Sequence, residues 1–239
     1  MPQRYAVVSC HVERPLEDRA WAAFSRFQAR RPGGFEIAAL IRPPDASAGE
    51  SEALWMARAR IAAAQGPLGH HTHWGGPEQA RPLDGDPAER VRSEAAWLRE
   101  RGFSLRLFCG GGWYMDERVA TVVAELGYAD CTATAFRPGY LPAGAPRLQL
   151  AEPARLRLGG ASLLELPATH SLGMAARSAL GPLPAYVHVY FHDTDLLDRR
   201  RRLALEAALA VLGRRRRPVR LDSLTAEAEL EFRSAASLP

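Results

Sequence analysis

The sequence has 239 residues, of which 47 % are hydrophobic and 24 % charged, and its formal net charge at pH 7 is +4. This composition is typical of a globular protein, and the length fits one α/β domain. No apolar run is long enough to cross a bilayer, and the amino-terminal segment lacks the apolar core of a signal peptide. We therefore expect a cytoplasmic protein without an integral membrane segment.

Cysteines and basic residues exclude further classes of protein. The three cysteines, Cys10, Cys109 and Cys131, are scattered and form no Cys-x-x-Cys pair, so they indicate neither a disulfide framework nor a structural zinc site, and we expect buried thiols. All 31 basic residues are arginine, and two arginine runs at residues 199–202 and 214–217 flank a predicted helix. Because no aromatic residues are interleaved with these runs, we predict no nucleic-acid partner.

Short apolar segments alternate with amphipathic segments along the chain. In chain order the patterns predict a strand at 5–13, a helix at 16–31, a strand at 35–44, a helix at 51–67, a histidine-rich loop within 66–82, a helix at 86–102, a strand at 103–112, a helix at 116–127, a strand at 128–134, a Pro- and Gly-rich excursion at 136–160, strands at 161–173 and 185–195, a helix at 196–213, and a short strand with a terminal helix at 217–231. This alternation predicts an α/β fold with a parallel sheet and outer helices, in a single domain over residues 1–239.

Histidines concentrate at the positions where such folds place functional groups, the carboxyl ends of the parallel strands. The residues expected to converge on one rim are His11, Glu13, His70, His71, His73, His170 and His192. His188 lies inside a predicted strand, and we expect it to be structural.

The order of these segments resembles the polysaccharide deacetylases, also called NodB-homology carbohydrate esterases. The matching segments are "VVSCHVE", "GHHTHW", "FCGGGWYMDERVATVVAELGY" and "VYFHDTDLL", so the resemblance covers nearly the whole chain. It implies a distorted (β/α) barrel of the polysaccharide deacetylase type. It also implies a metal-dependent hydrolase that removes an N-acyl group, typically acetyl, from an N-acetylated sugar or glycan precursor.

Three departures from the family pattern support a second hypothesis. His11 stands where the family has an aspartate base, Cys109 stands where it has an arginine, and its two histidines separated by three residues are absent. The second hypothesis is a catalytically degenerate protein that binds a glycan or a partner without hydrolysis. The clustering of histidines on one predicted rim favours the enzyme.

Metal-assisted amide hydrolysis needs a divalent ion, a base and an acid. We predict Glu13, His71 and His73 as ligands of zinc, or of cobalt, nickel or iron, because residues two apart on an extended segment project to the same side. A pairing of His70 with His73 is left open, and His11 is the base or a fourth ligand.

The resemblance assigns the acid to His192, with Asp193 as its orienting partner, while Asp195 is expected to cap the following helix. Backbone amides of the Gly-rich turn are expected to stabilise the oxyanion, and nearby aromatic rings to stack on sugar faces. The predicted substrate-binding residues are Trp74, Gly111, Gly112, Trp113, Tyr114 and His170.

Overall fold

The computed structural model describes residues 4–141, 144–178, 180–226 and 232–234. The strands are β1 (Tyr5–Val12), β2 (Ala38–Ile41), β3 (Leu68–Thr72), β4 (Leu107–Gly110), β5 (Ala129–Asp130), β6 (Ala154–Leu158), β7 (Ala161–Glu165), β8 (His170–Ser171), β9 (Tyr186–His192), β10 (Arg217–Pro218) and β11 (Phe232–Ser234). The helices are α1 (Asp18–Arg30), α2 (Glu52–Gln65), α3 (Pro87–Glu100), α4 (Glu117–Glu125), α5 (Leu172–Ser178) and α6 (Arg199–Arg215). Among the helices described, none combines the length and apolar character that crossing a bilayer requires.

One sheet contains the strands in the order β11-β6-β7-β5-β4-β3-β2-β1-β9-β8, with β10 paired to β1. All pairings are parallel except that of β6 with β7. The fold is therefore a mixed α/β domain with a curled, half-barrel sheet, which confirms the predicted fold class.

The segment that runs from β7 into β8 brings the two sides of the parallel array together. At one end the amide of Leu166 donates to the carbonyl of Asp130 over 2.7 Å, and at the other the amide of Thr169 donates to the carbonyl of His188 over 3.0 Å. The same stretch of chain is thus hydrogen-bonded to β5 at one end and to β9 at the other, and this requires the sheet to curl.

The two faces of the sheet bury different sets of side chains. On the convex face, even-numbered residues of β1 such as Val8 and Cys10 pack with residues of α1, α2 and α6. On the concave face, Val7 packs with Leu40, Leu107 and other strand residues. Because side chains alternate along a strand, His11 shares the concave face with Val7.

Several segments differ from the sequence-based expectation, and the helix α5 at Leu172–Ser178 was not predicted. The histidine tract is part of a strand, β3, rather than a loop, because its backbone pairs with β2 and β4. The predicted excursion contains β6, which forms a hairpin with β7 through Gly159 and Gly160, both at positive φ as a two-residue hairpin turn requires. Part of the predicted terminal helix, residues 227–231, lies outside the described residues, while 221–226 form a 3₁₀ turn and 232–234 form a strand.

Aspartates cap three of the helices. Asp86, Asp116 and Asp198 accept hydrogen bonds from amides in the first turns of α3, α4 and α6 respectively. The sequence analysis expected Asp195 to cap α6, but the cap is Asp198. Asp195 instead accepts the backbone N–H of His192 over 2.9 Å.

Two carboxyl groups, those of Asp130 and Glu165, lie fully buried on adjacent strands of the sheet. Thr132 donates to Asp130 Oδ1 from its hydroxyl over 2.6 Å and from its amide over 3.0 Å. Asp130 Oδ2 and both oxygens of Glu165 have no hydrogen-bond partner among the described residues. Burial raises the pKa of both carboxyl groups, and the charge of Asp130 raises the pKa of Glu165 further.

We expect the Glu165→Gln variant to be more stable than the wild type at neutral and alkaline pH. When folding raises the pKa of an acid, the folded state becomes less stable as the pH rises. The loss begins near the pKa of the unfolded state, about 4.3 for Glu, and is complete above the pKa of the folded state. Glutamine removes that loss and can donate its amide N–H to Asp130, so we expect a gain of about 1–3 kcal/mol at pH 8. Denaturant unfolding from pH 5 to pH 9 measures it, with the exposed Glu100→Gln as control. An unchanged pH dependence in Glu165→Gln would contradict the raised pKa of Glu165.

Candidate metal centre

Four strands bring imidazole and carboxylate groups to one end of the concave face. His11 lies near the end of β1, opposite His192 of β9, and His71 of β3 lies opposite Cys109 of β4. Glu13 and His73 follow β1 and β3 on the same side as His11 and His71. The carboxyl ends of parallel strands meet at one edge of a sheet, which explains why residues distant in sequence converge here.

The Glu13 carboxylate lies at the centre of this cluster. Its Oε1 atom is 3.4 Å from His73 Nε2, 3.5 Å from His192 Nε2 and 3.7 Å from His71 Nε2. Donor atoms around a tetrahedral ion with bonds of about 2.1 Å lie about 3.4 Å apart. The spacing around Glu13 is therefore close to that of a metal site.

His71 and His73 are oriented from behind by backbone carbonyls. His71 Nδ1 is 2.9 Å from the carbonyl oxygen of Cys109, and His73 Nδ1 is 2.8 Å from that of Pro77. When Nδ1 carries the proton and donates it, the Nε2 lone pair faces the cluster. Both Nε2 atoms are buried and have no hydrogen-bond partner among the described residues. This arrangement is typical of metal-ligating imidazoles, so these residues fit a divalent cation.

Three sets of three side chains in the described chain have donor atoms within 4.8 Å of one another. They are Glu13, His71 and His73; His11, Glu13 and His192; and His11, His71 and Cys109. Only the first set contains both His71 and His73, whose Nε2 atoms face the cluster without a partner among the described residues, and it is therefore the best candidate.

The pKa shifts of Glu13 and His71 favour the forms that bind a metal. Burial would raise the pKa of Glu13, but the close imidazoles of His71 and His73 outweigh it and hold the pKa far below its usual value. Burial lowers the pKa of His71. At neutral pH Glu13 is therefore a carboxylate and His71 a neutral imidazole, as metal binding requires.

His11 is a neutral imidazole enclosed by other rings. Its ring centre is 4.6 Å from that of His71 and 5.2 Å from those of both Trp113 and Tyr190. Cys109 Sγ is 3.6 Å from His11 Nε2. Burial, and then the neighbouring His71 and His192, lower the pKa of His11 well below its usual value. An unprotonated imidazole at this place can accept a proton.

His192 is partly exposed at the opening of the cluster, and its acidic partner is Asp195. Asp195 Oδ2 is 3.7 Å from His192 Nδ1, and Arg201 donates to Asp195 Oδ1 over 2.6 Å. Burial would lower the pKa of His192, but the nearby carboxylates of Asp195 and Glu13 outweigh it and raise the pKa.

The placement of Asp193 corrects its predicted role as the partner of His192. Its buried carboxylate accepts the backbone N–H groups of Arg14 over 2.8 Å and of Thr194 over 2.9 Å. Burial raises the pKa of Asp193 to about 6. Asp193 thus joins the end of β1 to the turn after β9, and Asp195 faces the imidazole.

Two of the candidate histidines lie outside the cluster. His70 points to the convex side, where its Nε2 atom is 2.8 Å from Glu94 Oε2 of α3, so the alternative pairing of His70 with His73 is ruled out. His170 pairs with Val189, whose side chain packs on the helical side, and its ring lines a small void with residues of α5 and α6. His188 is buried between Ser9 Oγ at 2.8 Å and the carbonyl of Leu166 at 3.2 Å, which agrees with a structural role.

The predicted aromatic residues take different places. Trp113 is buried beside His11 and lines the cluster. Trp74 is only 5 % exposed, so little of its ring is available to a sugar, and its indole N–H donates to the Gly111 carbonyl over 3.0 Å. Tyr114 lies against Trp74 and donates its hydroxyl proton to Asp116 over 2.6 Å.

Sequence reasoning did not select Tyr190 or Asp195 as site residues, although each carries a readable signal. Tyr190 lies two residues before His192 in β9 and therefore shares its face. Asp195 lies three residues after His192, within reach of a tight turn. The contact between Cys109 and His11 forms because the sheet curls, and no sequence pattern predicts it.

Comparisons with known proteins support the fold and nothing finer. No family model matches the chain, and no curated protein matches it in sequence. The chain is similar in structure to a 4-α-glucanotransferase from Thermococcus litoralis, with a TM-score of 0.56 and 11 % identity over 95 % of this chain. This chain spans 38 % of that protein.

A second similar structure comes from Bordetella bronchiseptica, and its description reads "putative polysaccharide deacetylase involved in o-antigen biosynthesis". Its TM-score is 0.48, with 12 % identity over 93 % of this chain and 90 % of that one. Fold and site together define a single-domain α/β protein with a cluster of three imidazoles around one carboxylate at its strand ends.

Proposed function

We propose that this protein is a metal-dependent hydrolase that removes an N-acyl group, acetyl in the first instance, from an amino sugar or glycan precursor. The observation that carries the proposal is the pair of buried, unpartnered Nε2 atoms of His71 and His73 facing the Glu13 carboxylate. The order of motifs along the sequence, which resembles that of the deacetylases, supports the substrate class.

Glu13, His71 and His73 would hold the ion, with zinc the first candidate and cobalt, nickel or iron the others. Two imidazoles and one carboxylate are a common catalytic zinc set that leaves a coordination position open. A divalent ion held there would lower the pKa of a water and polarise the acyl carbonyl.

His11 and His192 lie beside Glu13 with their ring centres 5.3 Å apart, and they would divide the proton transfers. His11, held neutral by burial, takes a proton from the attacking water as its oxygen bonds to the acyl carbon. His192, held by Asp195, gives a proton to the amine nitrogen as the carbon–nitrogen bond breaks. The products are a carboxylate and a free amino sugar.

The turn formed by Gly111, Gly112 and Trp113 would provide the substrate wall and the oxyanion donors. The Tyr114 amide already donates to the Gly111 carbonyl over 3.2 Å, so the donors would come from earlier residues of the turn. Trp113 would form one wall of the acyl pocket beside His11.

The direct test combines metal analysis with acetate release. We expect protein purified without a histidine tag to bind about one equivalent of zinc and to release acetate from N-acetylglucosamine, free or nucleotide-linked. The His11→Ala variant should retain zinc and lose most of the acetate release. Less than about a tenth of an equivalent of any divalent metal after dialysis would contradict the proposal. Full zinc binding without acetate release would favour a glycan-binding protein without hydrolysis.

A further inference from the structure

The loop after β3 and the turn after β4 are joined by side-chain hydrogen bonds. The indole of Trp74 donates to the carbonyl of Gly111 over 3.0 Å, and the guanidinium of Arg81 donates from Nη1 to the carbonyl of Gly112 over 2.7 Å. The first loop carries His73, and the second carries Trp113. The two contacts therefore link a candidate metal ligand to the wall of the candidate acyl pocket.

Arg81 is itself fixed on several sides. Its guanidinium carbon is 5.6 Å from the ring centre of Tyr114, and its carbonyl accepts the side-chain amide of Gln79 over 2.7 Å. Gln79 also accepts the amides of Trp74 and Gly75, each over 3.1 Å, through its backbone carbonyl. The side chain of Arg81 is thus presented by a closed loop rather than by a free segment.

The turn that Arg81 contacts has an unfavourable backbone. Gly112 has a φ of 58° and Trp113 a φ of 59°, and a left-handed tryptophan is rare because its Cβ crowds the following carbonyl. Such a conformation persists only when its surroundings hold it. A Cβ at Gly112 would overlap Cγ of Arg81, so the glycine is what lets the arginine lie directly against the turn.

The unusual backbone determines where the indole of Trp113 points. Its ring centre is 5.2 Å from that of His11 and 4.8 Å from that of Tyr190. A charge-assisted hydrogen bond to the preceding carbonyl is among the stronger contacts that could hold it. If that carbonyl rotates away, Trp113 can relax to an ordinary backbone and leave the wall of the pocket.

We infer that Arg81 is a positioning residue: its hydrogen bond to Gly112 holds Trp113 in its left-handed conformation against His11. The inference rests on the proposed function for its catalytic consequence, but the contact itself does not depend on the reaction. Arg81 contacts neither Glu13, His71 nor His192 in the hydrogen bonds described, so it acts on the centre only through the turn.

The test compares Arg81→Ala, Arg81→Lys and the surface control Arg92→Ala, which removes exposed ion pairs with Glu89 and Glu125. We expect Arg81→Ala to keep one equivalent of zinc and to lose about 10- to 100-fold in kcat/KM for acetate release, the effect of a small displacement at a reacting centre. Added guanidinium ion should restore part of the loss in Arg81→Ala and none in Arg92→Ala. Arg81→Lys should retain an intermediate rate.

Hydrogen–deuterium exchange provides a readout that does not need activity. In Arg81→Ala we expect faster exchange in a peptide covering residues 110–115 and unchanged exchange in β1. If the wild type releases no acyl group, the proposed function fails and the exchange experiment still decides the role of Arg81. Unchanged exchange at 110–115, or a kcat/KM within twofold of wild type in an active enzyme, would overturn the inference.

Discussion

The Glu13→Gln variant is expected to lose its stoichiometric metal. Glu13 is the carboxylate around which three imidazole nitrogens lie at 3.4–3.7 Å, and an amide cannot balance the charge of a divalent ion. Mutation of a residue that hydrogen-bonds to a metal ligand lowers metal affinity by about 10- to 100-fold. Loss of the ligand itself should therefore lower it by more than about 100-fold. Titration of the apoprotein against a fluorescent zinc chelator measures this change.

A second readout of Glu13→Gln is thermal stability. A ligand at 100 times its Kd stabilises the folded state by about 2.7 kcal/mol, so zinc should raise the Tm of the wild type and leave that of Glu13→Gln unchanged. Glu17→Gln is the matched control, since Glu17 lies four residues on and forms an exposed ion pair with Arg14. Equal zinc affinity in Glu13→Gln and Glu17→Gln would remove Glu13 from the metal set and, with it, the basis of the proposed function.

The His192→Asn variant is expected to retain zinc and to lose about 100- to 10,000-fold in kcat, the usual contribution of a general acid. Asparagine keeps a polar side chain near Glu13 but has no proton to transfer to a leaving amine. Asp195 and Arg201 would keep their contacts with each other in this variant, so the rim of the site should hold its structure. Steady-state kinetics with metal analysis on the same sample measures both quantities.

His170→Asn is the matched control for His192→Asn, because His170 lies on the helical side of the sheet and outside the cluster. We expect it to keep both zinc and activity. The opposite result for His192→Asn, loss of zinc together with activity, would make His192 a ligand in the set of His11, Glu13 and His192. That result would exclude His192 as the general acid.

Most of the fold can be predicted from the sequence because secondary structure of this kind has a local signal. The apolar segment that contains β1 and the periodic segment that contains α3 are recognisable within a few residues, and their alternation predicts the parallel sheet. The hairpin of β6 and β7 is missed because "ARLRLGGASLLE" is short and follows a Pro- and Gly-rich stretch. The histidine tract is missed as a strand because only its neighbours, β2 and β4, supply its hydrogen bonds.

For the candidate site, the sequence by itself determined which side chains can share a face. His71 and His73, like His11 and Glu13, are two residues apart, and the period of a strand places each pair on one side. That relation depends only on backbone geometry within a few residues.

Only the tertiary structure decided which face is concave and what meets there. His70 points to α3, His170 to the helical side and Asp193 to backbone amides, while Asp195, Tyr190 and Cys109 face the cluster. These outcomes depend on strand order and on the curl of the sheet, which pair residues very far apart in the sequence, such as His11 with His192 and Tyr5 with Arg217. Contacts over such separations leave no periodic signal in a single chain, because each requires two segments to be placed by the whole fold.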